Sequence, residues 1–238
     1  MEIVAVCDLV EGAAQECSEE WGIPDSHGEP DPILGSDRVD AVFICTSTDT
    51  HAQLIEAAAA AGKHIFCEKP IALDLPSIDR ALAAVEAAGV KLQIGFNRRF
   101  DPNFREARER VAAGDIGTPN LLRITSRDPA PPPISYIESS GGIFLDMTIH
   151  DFDMARYIMR DEVHELFAQG AARIDPRIGE AGDVDTATVA LRFASGALGI
   201  IENSRQATYG YDQRLEVLGD KGRVLVGNPL PHTAVLSD

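Results

Sequence analysis

The chain has 238 residues, 45% of them hydrophobic and 25% charged, and a formal net charge of −17. That length holds one large or two modest domains with real cores, and that charge opposes binding to polyanionic nucleic acid. No apolar run reaches the roughly 18 to 20 residues that span a bilayer, and the start Met1-Glu2-Ile3-Val4 lacks the basic opening of a secretion signal, so a cytoplasmic protein with no membrane partner is expected.

In chain order, residues 3–7 read as a buried strand ending at Asp8, and 11–21 as a helix. A loop rich in Pro, Asp and Gly runs through Pro32. An unbroken β-prone run covers 39–45, an alanine-rich helix 50–61, a strand 64–67, a helix 77–88 and a strand 91–96. Strands alternating with helices at this rhythm predict a parallel, doubly wound sheet. After a helix over 101–113 the alternation stops. Residues 121–126, 163–170, 186–193, 197–204, 214–218 and 223–226 all read as strands, with one helix from about 142 to 159 packed on them. A second, α+β domain with a largely antiparallel sheet is therefore expected, residues 1–96 forming the first domain and 97–238 the second. Residues 129–133 read as a stiff proline loop. The four cysteines, at 7, 17, 45 and 67, show no Cys-x-x-Cys spacing and are expected as reduced core thiols.

Two segments suggest chemistry. After Gly141-Gly142 and an apolar run, Asp146 and His150 stand four residues apart, a spacing that projects both from one helix face as an acid/base pair or a structural one. Helical geometry puts Asp151 and Asp153 on other faces, and no second histidine lies at a ligand spacing, so no metal site is expected. Residues 61–70 read as a helix end at Gly62, a short strand, and a Glu68-Lys69 step locked by Pro70. Lys69 is either a surface lysine paired with Glu68 or a ligand group at the carboxyl end of a parallel strand, where open α/β sheets bind.

Taken together, several stretches carry a resemblance: Thr46 through His51, the Ala-Gly-Lys-His-x-x-Cys-Glu-Lys-Pro run ending at Pro70, and Gly95-Phe96-Asn97-Arg98-Arg99-Phe100-Asp101-Pro102. Ser126-Arg127-Asp128-Pro129, residues 141–156 and 179–186, Asn203-Ser204-Arg205, and Tyr209 through Arg214 continue it over nearly the whole chain. The sequence resembles the Gfo/Idh/MocA oxidoreductases, and among them the inositol dehydrogenases. One departure is local: where some inositol enzymes carry His-x-Asn, this chain has Ser126-Arg127-Asp128.

The resemblance implies an incomplete Rossmann-like sheet. No Gly-x-Gly-x-x-Gly turn occurs, and the chain opens on what matches the second strand, so the first strand and the family's last helices and strand are expected to be absent. A missing central strand would leave a gap of about 10 Å between its neighbours. NAD is the implied cofactor. Asp8 would accept the adenosine ribose hydroxyls and repel a 2′-phosphate; Thr46, Ser47, Thr48 and His51 would meet pyrophosphate and ribose; Glu68 and Lys69 would lie by the nicotinamide.

The family places a lysine, an aspartate and a histidine at the positions of Lys69, Asp146 and His150. By that carry-over His150 accepts the hydroxyl proton, Lys69 stabilises alkoxide character, and Asp146 binds a substrate hydroxyl or fixes the tautomer of His150. Asn97, Arg98, Arg127, Asp128, Thr148, Tyr209 and Tyr211 are the candidates for holding a polyol. The implied reaction is NAD-dependent oxidation of a cyclic polyol by a homo-oligomer. A pyranose sugar substrate, or a non-catalytic binding or assembly module, stays open.

Overall fold

A computed structural model describes residues 2–10 and 12–228. The chain divides into two compact units, Met1–Gly95 and Phe96–Asp238. Among the described residues no helix is long and apolar enough to cross a membrane.

The first unit alternates strand and helix: β1 (Ala5–Cys7), α1 (Ala13–Trp21), β2 (Asp25–His27), the single turn α2 (Asp31–Leu34), β3 (Ala41–Ile44), α3 (Thr48–Ala60), β4 (His64–Cys67), α4 (Leu75–Ala88) and β5 (Leu92–Ile94). β1 pairs in parallel with β2, and β3, β4 and β5 form a separate parallel sheet. No ladder joins the two sheets among the described residues. Its core is built from Ile44, Ile65 and Cys67 of the sheet against Ile55, Ala58 and Ala59 of α3 and Ala81 of α4. The buried positions of α3, His51, Ile55, Ala58 and Ala59, recur at helical spacing and make one stripe. The small alanines let helix and strands approach closely.

Three expectations need correcting here. The loop read over 22–32 contains β2 and the start of α2, because three polar residues, Asp25-Ser26-His27, form a strand by pairing with β1 and not by burying a face. β1 itself is half-buried, and Ile3 is 63% exposed. Of the four thiols only Cys67 is buried; Cys45 is exposed, and all four are free.

The second unit begins with a 3₁₀ turn, Asn97–Phe100, and α5 (Pro102–Ala113). Asp101 caps α5, its carboxylate accepting from the backbone N–H of Asn103 and Phe104, with Pro102 already holding a helical φ. Next come β6 (Pro119–Arg127), α6 (Ile134–Ser140), a π-helical turn over Phe144–Thr148 that runs into α7 (Ile149–Met159), β7 (Val163–Ala171), α8 (Pro176–Glu180), β8 (Thr186–Phe193), β9 (Leu198–Ser204), β10 (Asp212–Gly219) and β11 (Arg223–Val226). The six strands form one sheet in the order β11-β10-β6-β9-β8-β7. All pairs are antiparallel except β6 with β9, which run parallel. α6 and α8 leave no periodic signal in the sequence, because each is only one or two turns long and is bounded by proline or glycine.

Strict alternation decides which face of this sheet is covered. Val189, Leu191 and Phe193 of β8, Ile201 of β9, Leu122 and Ile124 of β6, and Leu215 and Val217 of β10 point inward. Phe104, Ala107 and Val111 of α5 and Met154, Ala155 and Ile158 of α7 close over them. Each such side chain contributes about 1.5–3 kcal/mol by leaving water. The opposite face stays open.

Candidate active site

The cofactor candidates of the first unit gather at the carboxyl ends of its parallel strands. Asp8 follows β1, is exposed, and spends one oxygen on the backbone N–H of Val10 at 2.8 Å. Thr46, Ser47 and Thr48 link β3 to α3. Ser47 is the N-cap residue of α3 but makes no side-chain cap bond, which leaves the first-turn N–H groups and the positive helix end facing outward. Glu68 and half-buried Lys69 follow β4. Gly95, directly after β5, packs closely against the Glu68 carboxylate: a Cβ there would stand 2.7 Å from Oε2, and the carboxylate would have to swing aside. A carboxylate, an uncapped helix end and a lysine at the carboxyl ends of β1, β3 and β4 form a set of groups that suits a dinucleotide.

His51 does not belong with them. It is 1% exposed, and both ring nitrogens are used inside the unit: Nδ1 lies 2.7 Å from the Pro70 carbonyl and Nε2 3.0 Å from the Thr46 carbonyl. It ties the loop after β3 to the step after β4, and its burial leaves neither ring nitrogen open to a ligand.

The second unit collects the chemical groups around the π turn and α7. Bonding from i to i+5 widens the helix at 144–148, and Asp146 falls within it. Thr148 marks the wider turn, its Oγ1 lying 3.2 Å from the Ile143 carbonyl five residues back. The Asp146 carboxylate accepts from Tyr136 Oη at 2.8 Å on Oδ1 and from Arg205 Nη1 at 3.2 Å on Oδ2. His150 lies four residues on, with the Phe96 ring edge-on at 6.4 Å between centroids.

Directly beneath, Asp151 is fully buried and satisfied by Arg98 Nη1, by Ser126 Oγ at 2.6 Å and by Asn203 Nδ2 at 2.7 Å. Arg99 grips Asp153 through two nitrogens. Both carboxylates are thus consumed by arginines, and no group of three or more His, Cys, Asp or Glu that could hold a metal is found among the described residues.

The polyol candidates divide. Thr148 is fully buried and donates to Asn203 Oδ1 at 2.7 Å, so it cannot touch a substrate: it pins α7 to β9. Arg98 is mostly committed to Asp151. Arg127 pairs with Glu202 and with the Tyr209 hydroxyl, which in turn donates to Asp212 at 2.7 Å. Asn97 and Tyr211 are exposed, and Asp128 is half-buried. Burial pushes the Asp128 carboxyl above the ordinary aspartate value, Arg205 opposing and Asp146 adding to the shift. Ser126, which stands where some inositol enzymes have histidine, is buried and bound to Asp151.

Sequence reasoning assigned no role to Tyr136, Arg205 or Asp183. Arg205 is 1% exposed, the largest fully buried side chain of the described residues. The signal available was an arginine directly after an alternating strand, in a segment already part of the resemblance.

Comparison with known proteins identifies the family of both units. Residues 1–96 match the oxidoreductase family with an NAD-binding Rossmann fold, and residues 104–225 match the GFO/IDH/MocA C-terminal domain. The chain belongs to the Gfo/Idh/MocA oxidoreductases. Within that NAD-binding family it is 55% identical to a myo-inositol 2-dehydrogenase from Thermotoga maritima over 99% of this chain and 71% of the relative. A crystal structure of a probable dehydrogenase from Thermotoga maritima superposes with a TM-score of 0.95 at 55% identity, covering 100% of this chain and 72% of the other. A scyllo-inositol dehydrogenase from Lactobacillus casei, solved with bound NAD(H) and scyllo-inositol, gives 0.88 at 32% identity over 99% of this chain and 71% of the other.

Proposed function

We propose that this Gfo/Idh/MocA chain is an inositol 2-dehydrogenase, taking a hydride from a CH–OH carbon of myo-inositol and giving it to NAD. The observation that carries the reading is the Asp146 and His150 pair on one helix, the carboxylate already oriented by Tyr136 and Arg205. NAD, when bound, supplies the hydride acceptor. A secondary alcohol is too weak an acid to lose its proton unaided near pH 7, so the hydride can leave only as a base takes that proton. An imidazole, with a reference pKa of about 6.5, is matched to that task, and His150 takes the proton in this reading. Lys69 takes the role of the family's lysine, stabilising alkoxide character. Asp146 receives a hydrogen bond from a substrate hydroxyl or from His150.

In the first unit Asp8 holds the adenosine ribose and disfavours a 2′-phosphate, Thr46, Ser47 and Thr48 receive the pyrophosphate, and Glu68 lies by the nicotinamide. Asn97, Arg127, Asp128, Tyr209 and Tyr211 supply hydrogen bonds to the polyol, with Arg98 behind them. We further place the protein in the cytoplasm as a homo-oligomer joined through the open sheet face. Phe167, Ala190, Ile200, Arg123, Glu216 and Leu225 stand in one cross-strand row on it, with Phe167 63% and Leu225 57% exposed.

The test is NADH formation from NAD and myo-inositol, using this chain alone and preceded by the Gly-x-Gly-x-x-Gly strand-turn-helix of a related enzyme. Turnover that falls by roughly 10²–10⁴-fold in His150→Ala is expected. A folded, NADH-binding protein that leaves myo-inositol untouched would overturn the substrate, and turnover of a pyranose would replace it.

A further inference from the structure

Arg205 is a cation enclosed by acids. It leaves the end of β9, its backbone N–H donates to the Asp185 carbonyl at 2.8 Å, and its head group is 1% exposed. One terminal nitrogen reaches Asp146 at 3.2 Å and the other lies 3.7 Å from Asp183. Asp183 in turn accepts from the backbone N–H of Ile143 at 3.0 and 3.1 Å, the residue just before the π turn. A Cβ on Gly142 would stand 2.6 Å from Asp183 Oδ1, and its φ is +77°, so the chain there is shaped to admit that carboxylate. From the other side Tyr136 of α6 holds the second oxygen of Asp146 at 2.8 Å.

A single carboxylate on a helix rotates between staggered positions. Here two partners oppose that rotation. The guanidinium donates one hydrogen bond to Asp146 and stands as an ion pair 3.7 Å from Asp183, a carboxylate of another segment, and the phenol holds the other oxygen of Asp146. Burial and the Asp146 hydrogen bond raise the Tyr136 phenol to about 12, which keeps it a donor at any ordinary pH.

We propose that Arg205 and Tyr136 are the positioning residues of Asp146, holding its carboxylate in one rotamer so that it acts as a fixed acceptor in the proton step. Asp183 completes the device by tying Arg205 to the start of the π turn. This inference rests on the dehydrogenase reading of Asp146 and His150. Both act through Asp146.

The experiment is a double-mutant cycle on the active form of the chain, with inositol turnover, NADH binding and thermal midpoint measured for each variant. Tyr136→Phe removes one hydroxyl from a half-exposed ring and keeps the fold. It should lower kcat about tenfold, the loss of one hydrogen bond to a charged group, with the KM for NAD unchanged. Arg205→Lys keeps the charge but not the fork, and should lower kcat more while retaining more activity than Arg205→Met. In an Asp146→Ala background Tyr136→Phe should cost nothing further, because its acceptor is already lost. Equal losses in both backgrounds, or wild-type kcat in Tyr136→Phe and Arg205→Lys, would overturn the proposal. Crystal structures of those two variants decide the same point without turnover: Asp146 leaves its rotamer if the proposal holds and keeps it if not. A wild-type protein silent on inositol would strike the substrate reading and leave this structural arm standing.

Discussion

Cys67 and Cys45 lie on neighbouring strand ends and differ mainly in what surrounds them. Cys67 is fully buried, and burial, with smaller effects from Cys45 and Glu68, raises its thiol from 9.0 to about 12. Cys45 is exposed and its thiol is raised less, by partial burial and then Glu68. Alkylation at pH 8, read by mass spectrometry, should therefore modify Cys45 and spare Cys67 until the chain is unfolded. Because the folded value of Cys67 lies above the unfolded one, its contribution to stability is complete below pH 9 and is lost as pH rises toward 12. Asp185 behaves in the opposite sense. Burial pushes its carboxyl up, but the backbone N–H groups of Arg173, Asp175 and Ile174 and the Thr186 hydroxyl outweigh that and hold it below the ordinary value. Its stabilisation is present above its unfolded value near about 3.9 and disappears as pH falls through the folded one. Asp185→Asn should cost about 1–3 kcal/mol in urea unfolding at neutral pH, since the 173–175 turn loses charged acceptors. The difference from wild type should shrink below about pH 3. An equal difference at both pH values would refute the account.

At the scale of elements, the helix carrying Asp146 and His150 was readable from residue 142 onward, but its π turn was not. The turn depends on Asp183 and Arg205, which arrive from distant segments and hold residue 143 in place. Gly142→Ala should destabilise the unit by about 1–3 kcal/mol, because alanine pays the positive φ and its Cβ meets Asp183. Chemical denaturation measures that loss, and a neutral result would show that the helix start can shift. Helix α5 is terminated by local means instead. Asp101→Ala should cost about 1 kcal/mol, the ordinary worth of an N-cap, and leave the rest of the unit intact.

For the whole molecule, one covered and one open sheet face follow from strand alternation in β6 and β8–β10. Ile158, fully buried between α7 and the sheet, supports the covered face, and Ile158→Ala should lower stability by about 2–5 kcal/mol. The open face carries Phe167 and Ile200 in one row. Phe167→Glu with Ile200→Lys should leave the folded unit unchanged and shift light scattering to a smaller species. An unchanged mass would remove this face from the assembly. The charge of −17 spread over the surface keeps such contacts selective, since like-charged copies meet only where apolar area offsets repulsion.

The amino-acid sequence by itself determined the alternating first half, the six strands of the second, the family, and the four-residue spacing of Asp146 and His150, because hydrophobic period and the Glu-Lys-Pro and Asp/His spacings are local properties of the chain. Only the tertiary structure decided which polar residues remain available. His51 and Thr148 look like ligand-binding residues in the sequence and prove to be internal ties, while Tyr136, Asp183 and Arg205 look ordinary and prove to surround Asp146. The parallel pairing of β6 with β9 and the short strand β2 belong to the same class. The reason is physical: a hydrogen bond or ion pair between groups 40 to 60 residues apart leaves no periodic trace, since the partner is chosen by packing and not by spacing.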